Sequence, residues 1–265
     1  MTETSSEKML ARREGAVGHM VFNNPEKQNA VSLDMWEAAE RILADFEADP
    51  GIRVLVVSGA GGRSFVSGAD ISEFEKSRGT AEAQAHYNQR TRAVYARIEA
   101  FPKPVVAMIH GYCIGGGLNL ACCCDIRIAS DKASFGMPAA RLALGYPFEA
   151  IRRLIDAVGA GNARFLMYTA RRIGAEEALR MGLAQEVVPL DRLEAAADEV
   201  AKEIAANAPL TVKAMKFISG QVLADPEARD LASCEDMVAA CFASEDYREG
   251  RRAFMEKRRP QFEGR

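Results

Sequence analysis

The chain has 265 residues, of which 48% are hydrophobic and 27% charged, and its formal net charge is −3. A chain of this length can bury the core of one large domain, and the composition is typical of a globular protein. The small net charge provides no general attraction for nucleic acid or anionic lipid, so we expect neither nucleic acid nor membrane as a partner.

The two segments that could indicate export or membrane insertion both fail to do so. Residues 1–15 are polar and mixed in charge, without the apolar core of a secretory signal. Residues 105–124 are mostly apolar but include His110, Asn119 and four glycines. A buried strand followed by a buried helix explains that segment better than a membrane span. We therefore expect a cytoplasmic protein.

The cysteines indicate neither a metal site nor disulfides. Three of the six are consecutive, so they cannot converge on one metal from one helix face, and zinc-site spacing is absent. We predict small thiols that fill the core in a reducing compartment, with no metal bound. The six are Cys113, Cys122, Cys123, Cys124, Cys234 and Cys241.

The N-terminal half alternates short apolar runs with helical patterns. Val17–Phe22 is predicted as a strand, and a helix follows Ser32, a plausible N-cap, and ends before Pro50. Further strands are predicted at 53–57, Val105–Ile109 and 125–129, with helices at 80–100 and from the glycine triplet 115–117 onward. Strands that alternate with helices predict an α/β fold with largely parallel pairing.

From Pro147 onward the pattern is nearly all helical. The apolar stripes of the last helices exceed what one small core absorbs, so we expect them to pack between subunits. The predicted helices are 148–157, 162–169, 175–181, 192–206, 210–223, 227–243 and 246–257.

Two glycine-containing loops carry the strongest chemical signal. Residues 65–71 (Phe-Val-Ser-Gly-Ala-Asp-Ile) and 109–119 each place free backbone N–H groups at a predicted helix start, where the helix dipole favours negative charge. Two such amides aimed at one oxygen would form an oxyanion hole, and losing one donor typically costs about 3–4 kcal/mol of transition-state stabilisation. Each loop alone is also compatible with ordinary turn chemistry. Neither the dinucleotide glycine spacing nor a P-loop is present.

In combination, four segments resemble the crotonase superfamily of enoyl-CoA hydratases and isomerases, in order and spacing over nearly the whole chain. They are Asn24-Pro25-Glu26-Lys27-Gln28-Asn29-Ala30, Ser67-Gly68-Ala69-Asp70-Ile71, Gly115-Gly116-Gly117 with Asp125-Ile126-Arg127, and Ala253-Phe254-Met255-Glu256-Lys257-Arg258. The resemblance implies a spiral of ββα turns over residues 1–200 and a C-terminal helical trimerisation region over 201–265. It also implies an acyl-CoA substrate with no permanently bound cofactor, coenzyme A being part of the substrate, and a homotrimer or dimer of trimers.

The resemblance also implies site residues. The backbone amides of Ala69 and Gly116 would polarise the thioester carbonyl. The residues that would hold coenzyme A are Lys27, Ala69, Asp70, Ile71, Phe254 and Lys257. The last two would reach the coenzyme of a neighbouring subunit; helix packing and a solvated charge are the alternatives for them.

The sequence departs from the hydratase pattern at two positions. Hydratases of the superfamily use two glutamates, one two residues after the glycine triplet and one after the proline of a Phe-Gly-x-Pro stretch. Here these positions hold Asn119 and Ala139. Neither side chain is a base near neutral pH, and acid–base groups contribute typically 10²–10⁴-fold, so we expect poor hydration.

Tyr146 is the candidate side chain to take over a role in the reaction from the two glutamates. The run Leu-Ala-Leu-Gly-Tyr-Pro at 142–147 resembles the same region of the superfamily's methylmalonyl-CoA decarboxylases, which carry a tyrosine there but a histidine at the position of Ala69. Decarboxylation needs an oxyanion hole and a group that orients the carboxylate. Tyr146 could equally be a half-buried aromatic with its hydroxyl satisfied. Asn119 either hydrogen-bonds a water or polar acyl group, or satisfies backbone.

The sequence therefore predicts an acyl-CoA enzyme that stabilises a thioester enolate in a backbone oxyanion hole. Two alternatives remain open, a decarboxylase of a malonyl-type CoA ester and a non-catalytic acyl-CoA-binding protein. Glu149 and Arg141 are expected at the surface, Asp70 and Asp125 as loop anchors, and His110 as a loop brace.

Overall fold

The computed structural model describes residues 7–70 and 80–265. The strands of these residues form two sheets. They are β1 (Met9–Glu14), β2 (Val17–Phe22), β3 (Val54–Gly59), β4 (Ser64–Val66), β5 (Val105–Ile109), β6 (Tyr112–Ile114), β7 (Ile126–Ser130), β8 (Ser134–Gly136), β9 (Arg172–Gly174) and β10 (Glu186–Val188). The six-stranded sheet has the order β1-β2-β3-β5-β7-β10, and the four-stranded sheet has the order β4-β6-β8-β9.

Pairing in both sheets is mostly parallel, as predicted. The strand pairs from β2 to β10 in the large sheet are parallel, and so are β4–β6 and β6–β8 in the small one. The exceptions are β1–β2 and β8–β9. Strand β1 was not predicted because it lies at the sheet edge and buries only Met9, which leaves no apolar run to read.

The helices lie between and after the strands. They are α1 (Leu33–Ala48), α2 (Ala81–Glu99), α3 (Gly116–Cys123), α4 (Phe148–Thr169), α5 (Ala175–Arg180), α6 (Leu193–Ala206), α7 (Pro209–Leu223), α8 (Leu231–Ala243) and α9 (Glu245–Glu256). The predicted break between 157 and 162 is confirmed as a kink in α4 at Gly159, whose φ is 76°. No helix within the described ranges is long and apolar enough to cross a bilayer.

The chain after Pro147 is nearly all helical, as predicted, except for the two short strands β9 and β10. These were not predicted, because they pair with strands far away in sequence and three-residue strands leave no periodic signal. One helix start was predicted wrongly. The helix predicted from 227 begins instead at Leu231. Asp230 caps it by accepting the N–H of Ser233, after a separate 3₁₀ turn at Pro226–Ala228.

The central strands of the large sheet are buried on both faces, which explains the continuous apolar runs of β3 and β5. Along β3, Leu55 and Val57 face the core under α1, while Val54 and Val56 face a second cluster under α6. Burying one such side chain contributes roughly 1.5–3 kcal/mol. The sheet is thereby fixed between two helical layers and forms a rigid base for the loops at its strand ends.

Two charged residues after α3 hold the helix that carries the glycine triplet. At the C-terminus of this helix, Arg127 donates to the carbonyl of Cys124 at 2.8 Å and to that of Ala121 at 3.3 Å, which also accepts the N–H of Cys124. Asp125 accepts the N–H of Val105 and the ammonium of Lys216, each at 2.7 Å. The predicted anchoring role of Asp125 is confirmed.

Candidate active site

The glycine triplet forms the start of α3. Gly115 adopts φ 57°, a conformation that favours glycine, and donates its N–H to Gly136 at 2.8 Å. Gly116 is the first helical residue, so its N–H has no partner within the helix. Gly116 is half-buried while Gly115 and Gly117 are buried. The Gly116 amide is therefore the one of the three that can reach a ligand at the helix N-terminus.

The first glycine loop is held by Val31. Val31 donates its N–H to Gly68 at 2.8 Å and accepts the N–H of Asp70 at 3.1 Å, so the residue between them, Ala69, forms a parallel bridge with Val31. In such a bridge the flanking groups bond the partner strand and the central residue's own N–H points away from it. Within the described residues, the N–H groups of Ala69 and Gly116 donate to no carbonyl in a turn or loop.

The two loops touch each other through glycines. A Cβ on Gly117 would lie 1.9 Å from the Val66 carbonyl oxygen, so no larger residue fits there. A Cβ on Gly68 would lie 3.7 Å from the Gly116 nitrogen. The Ala69 and Gly116 amides are therefore carried by adjoining backbone segments, and two amides so placed can serve a single oxygen atom.

Tyr146 lies against the same glycine triplet. Its hydroxyl is 3.5 Å from the position that a Cβ on Gly115 would occupy, and the residue is half-buried against the main core. Burial raises the pKa of the Tyr146 phenol. A phenol whose pKa is raised is a hydrogen-bond donor near neutral pH, not a base.

Asn119 and Ala139 are the residues that the sequence analysis predicts at the two glutamate positions of the hydratases. Asn119 lies in the first turn of α3, is buried, and its Oδ1 has no hydrogen-bond partner within the described part of the chain. Buried polar atoms are nearly always paired, so this oxygen is suited to a donor from a water or a ligand. Ala139 is half-buried in the 3₁₀ turn Pro138–Leu142, and its methyl group adds no proton chemistry.

The sequence of this chain matches a known protein family. Residues 12–265 match the family described as enoyl-CoA hydratase/isomerase. The chain belongs to this family. It is 36% identical to the short-chain-enoyl-CoA hydratase of Clostridium acetobutylicum, with 95% of each protein covered. It is 34% identical to the crotonyl-CoA hydratase of Syntrophomonas wolfei, over 97% of this chain and 98% of that one.

Solved structures agree with the family assignment. An enoyl-CoA hydratase/carnithine racemase from Magnetospirillum magneticum superimposes with a TM-score of 0.93 at 32% identity, over 98% of this chain and 97% of that one. The predicted crotonase-like α/β fold with C-terminal helices is therefore confirmed. As a family member the protein is an acyl-CoA enzyme.

Lys27 and Asp70, both predicted to hold coenzyme A, lie together. The Lys27 ammonium is 2.8 Å from the Asp70 carboxylate, whose side chain is 4% exposed. This ion pair ties the 3₁₀ turn Pro25–Lys27 to the first glycine loop, which confirms the predicted anchoring role of Asp70. Ile71, the third predicted residue of this group, lies outside the described residues.

Phe254 and Lys257 are far from this group in the chain and lie at the end of α9. Phe254 is 82% exposed, so its ring is not packed within its own chain. Lys257 adopts a left-handed conformation that ends the helix. Both side chains are available to a second molecule.

Other charged and polar predictions are settled by exposure and pairing. Glu149 and Arg141 are exposed, as expected. His110 braces a loop through its main-chain carbonyl, which accepts the Ser130 hydroxyl, and not through its ring, whose Nδ1 has no partner among the described residues. The six cysteines are free thiols, and burial raises the pKa of Cys122 to about 11.

The sequence interpretation missed Tyr87 and Tyr95. Both lie in α2 and are buried, and their hydroxyls bond backbone carbonyls, Tyr87 that of Val31 and Tyr95 that of Gly116. The available signal was the apolar stripe formed by Tyr87, Val94, Tyr95 and Ile98, which identifies a buried face but not a polar contact.

Proposed function

We propose that the protein binds acyl-CoA thioesters with the thioester oxygen between the N–H groups of Ala69 and Gly116, and that it stabilises the thioester enolate. The observation that carries this proposal is the contact of the two glycine loops, with Gly68 packed against the Gly116 nitrogen. An enolate concentrates negative charge on that oxygen. Fixed amides at a helix N-terminus stabilise such charge without reorganising.

The coenzyme itself would be held by two groups of residues. Lys27, Asp70 and Ile71, with Ala69, would bind the adenine end beside the first loop. The exposed Phe254 and Lys257 would contact the coenzyme of a neighbouring subunit, which requires the proposed trimer or dimer of trimers. Residues 201–265 are proposed as the oligomerisation region and the preceding residues as the acyl-CoA-binding core.

The reaction is constrained by the side chains around the hole. The relatives from Clostridium and Syntrophomonas are hydratases by name. In this chain, Asn119 can accept a hydrogen bond from a water but cannot take its proton, and Ala139 offers no group at all. We therefore propose that 2-enoyl thioesters are hydrated slowly.

Decarboxylation of a malonyl-type CoA ester is the second candidate, favoured by the Tyr146 hydroxyl beside Gly115. In that reaction the carbon–carbon bond to the carboxylate breaks, carbon dioxide leaves, and the electron pair enters the thioester enolate. The oxyanion hole would stabilise the enolate, and Tyr146 would orient the carboxylate by donating a hydrogen bond. No carboxylate base is required.

A panel of CoA esters monitored by mass spectrometry tests these proposals. Butyryl-, 2-enoyl-, 3-enoyl- and methylmalonyl-CoA would be incubated with the protein and scored by mass for gain of water and loss of carbon dioxide, and by chromatographic retention for isomerisation, which leaves the mass unchanged. Binding of butyryl-CoA with conversion of at least one other ester is expected. Binding without any conversion would favour the non-catalytic alternative, and absence of binding would refute the proposed function.

A further inference from the structure

Trp36 of α1 connects two buried tyrosines of α2. Its indole Nε1 donates to the Tyr87 hydroxyl at 3.0 Å, and its ring meets the Tyr95 ring edge-on, with centroids 5.2 Å apart. Tyr87 is 4% exposed and Tyr95 is 6% exposed. The three aromatic side chains thus form one rigid group behind the two glycine loops.

Tyr87 acts on the first loop through Val31. Since its hydroxyl accepts the Trp36 N–H, its single proton is free to be donated, and it goes to the Val31 carbonyl at 2.9 Å. That carbonyl also accepts the N–H of Asp70, and the Val31 N–H bonds Gly68. Tyr87 therefore fixes the segment whose bridge sets the direction of the N–H between Gly68 and Asp70.

Tyr95 acts on the second loop directly. Its hydroxyl donates to the Gly116 carbonyl at 2.9 Å and lies 3.1 Å from the position of a Cβ on Gly116. Burial raises the pKa of Tyr95, so the hydroxyl remains a donor. Only φ and ψ separate the carbonyl of a residue from its own N–H, so fixing the Gly116 carbonyl restricts its amide.

We propose that Tyr87 and Tyr95 are positioning residues that hold the Ala69 and Gly116 amides at the separation required for one thioester oxygen. The inference rests on the proposed function, because it assumes that these amides form the oxyanion hole. Each hydroxyl fixes one loop, and Trp36 fixes the two hydroxyl-bearing rings relative to each other. Misplacing a catalytic group by about 1 Å can cost on the order of 10²-fold in rate.

The stretching frequency of the bound thioester carbonyl tests the proposal. Butyryl-CoA labelled with ¹³C at that carbonyl would be bound to the parent protein and to Tyr87→Phe, Tyr95→Phe and the double variant, and measured by difference infrared spectroscopy. Hydrogen bonds from the two amides should lower the frequency in the parent. Each single variant should recover part of the downshift, and the double variant should recover more. Tyr168→Phe, on the exposed face of α4, is the matched control and should behave as the parent.

Affinity and turnover separate positioning from a general loss of structure. Butyryl-CoA affinity should stay within about threefold of the parent, because neither tyrosine hydroxyl is proposed to contact the coenzyme and the Lys27–Asp70 ion pair is kept. With a substrate identified by the ester panel, kcat should fall about tenfold in each single variant while KM changes little. Thermal unfolding identifies any variant that does not fold. If Tyr87→Phe does not fold, Trp36→Phe is measured in its place. This variant removes the N–H that holds the Tyr87 hydroxyl, and it should also recover part of the carbonyl downshift.

The outcomes distinguish the two levels of inference. An unchanged carbonyl frequency in folded Tyr87→Phe and Tyr95→Phe, beside a downshifted parent, would overturn the positioning role and leave the oxyanion hole intact. A parent protein that binds butyryl-CoA without any downshift would refute the oxyanion hole itself. A parent that does not bind butyryl-CoA would refute the proposed function.

Discussion

The sheet core and the C-terminal helices α7–α9 are both rich in apolar residues but bury them very differently. In the core, Phe22, Phe65 and Phe135 are fully buried. In the C-terminal helices, the large apolar side chains Met215 and Phe242 are 64% and 63% exposed, and the buried apolar residues there are the small Ala214 and Ala253. The large apolar side chains of the core are thus covered within the chain, whereas those of the C-terminal helices remain exposed.

This difference indicates how the two regions contribute to the site. The core completes its own packing, so the glycine loops can be held by close backbone contacts, such as that of Gly117 with Val66, which leaves no room for a Cβ. The C-terminal helices leave apolar faces that favour a second molecule. Helix α4 resembles them, since Phe148 and Tyr168 are also largely exposed. One region would set the chemistry, and the other would complete the coenzyme site through assembly.

The largest expected effect comes from the core region, where the proposed amide donor of Gly116 can be removed. Gly116→Pro removes the proposed N–H at the first helical position, where proline is tolerated, and should lower kcat/KM by about 10²–10³-fold for whichever ester is converted. The measurement is steady-state kinetics on protein shown by circular dichroism to be folded.

Gly116→Ala is the matched control for this prediction. It places a Cβ at the same point, 3.1 Å from the Tyr95 hydroxyl, but keeps the N–H. It should therefore lose much less activity than the proline variant. If both variants lose activity equally, crowding against Tyr95 and not the missing donor is the cause.

Carboxylates at positions 119 and 139 test whether their absence limits hydration. Asn119→Glu with Ala139→Glu should raise hydration of a short 2-enoyl-CoA at least about tenfold over the parent, because general acid–base groups contribute typically 10²–10⁴-fold and imperfect placement takes part of that gain away. Each single change should help less, since the two groups act on one water. Loss of enoyl-thioester absorbance reports the rate.

The double glutamine variant, Asn119→Gln with Ala139→Gln, matches the added side-chain length without a carboxylate and should gain nothing. Brisk hydration by the parent would contradict the proposed slow reaction and would point to another residue, such as Tyr146 or Glu149, as the source of proton chemistry.

In the C-terminal region, charge can be introduced on the exposed apolar face of α8. Leu231 and Phe242 are 62% and 63% exposed, so Leu231→Glu with Phe242→Glu should leave the isolated chain folded. Two carboxylates buried in an apolar interface are costly, so the proposed trimer or dimer of trimers should dissociate in this variant. Sedimentation velocity measures this, with Asp236→Ala on the same helix as control. A parent that sediments as a monomer at micromolar concentration would contradict the proposed assembly.

Coenzyme affinity should fall together with assembly in that variant. Phe254 and Lys257 are proposed to reach a neighbouring subunit, so a monomer lacks their contribution to the site. A dissociated variant that binds butyryl-CoA as tightly as the parent would remove both residues from the coenzyme site.

The strong periodic elements of the fold were predictable from the sequence, and the contacts between them were not. The α1 region carried a helical apolar periodicity and β5 an unbroken apolar run. The edge strand β1 buries only Met9 and pairs locally with β2, and the three-residue strands β9 and β10 owe their existence to long-range pairing. For the site, the glycine loops could be recognised as backbone donors. The role of Tyr95 could not, because nothing in α2 itself specifies that its hydroxyl meets a carbonyl of α3.

The face of the large sheet opposite the candidate site offers a smaller, independent test. His19 of β2 is 6% exposed, borders a cavity of about 300 Å³, and neither ring nitrogen has a hydrogen-bond partner among the described residues. The Glu14 carboxylate lies 3.9 Å from its Nε2. Arg12, Glu14, Glu194 and Asp198 line the same cavity. Burial first, and then Arg12, lower the pKa of His19, while Glu14 and Asp198 partly offset that change.

The smallest expected effect follows from the sign of this shift. Since the folded-state pKa of His19 is below the ordinary value of 6.5, the unfolded chain takes up the proton first as the pH falls. The free energy of unfolding should be insensitive to this residue above about pH 7.5, decline as the pH falls through about 6.5, and level off below the folded-state pKa. In His19→Gln the decline between pH 7.5 and 5.5, measured by urea unfolding, should be shallower than in the parent. Burial also lowers the pKa of His110, but that residue is present in both proteins and its contribution cancels in the difference. Equal declines would mean that the buried His19 ring is protonated as readily in the folded protein as in the unfolded chain. The carboxylates of Glu14 and Asp198 would then fully offset the cost of burying the charged ring.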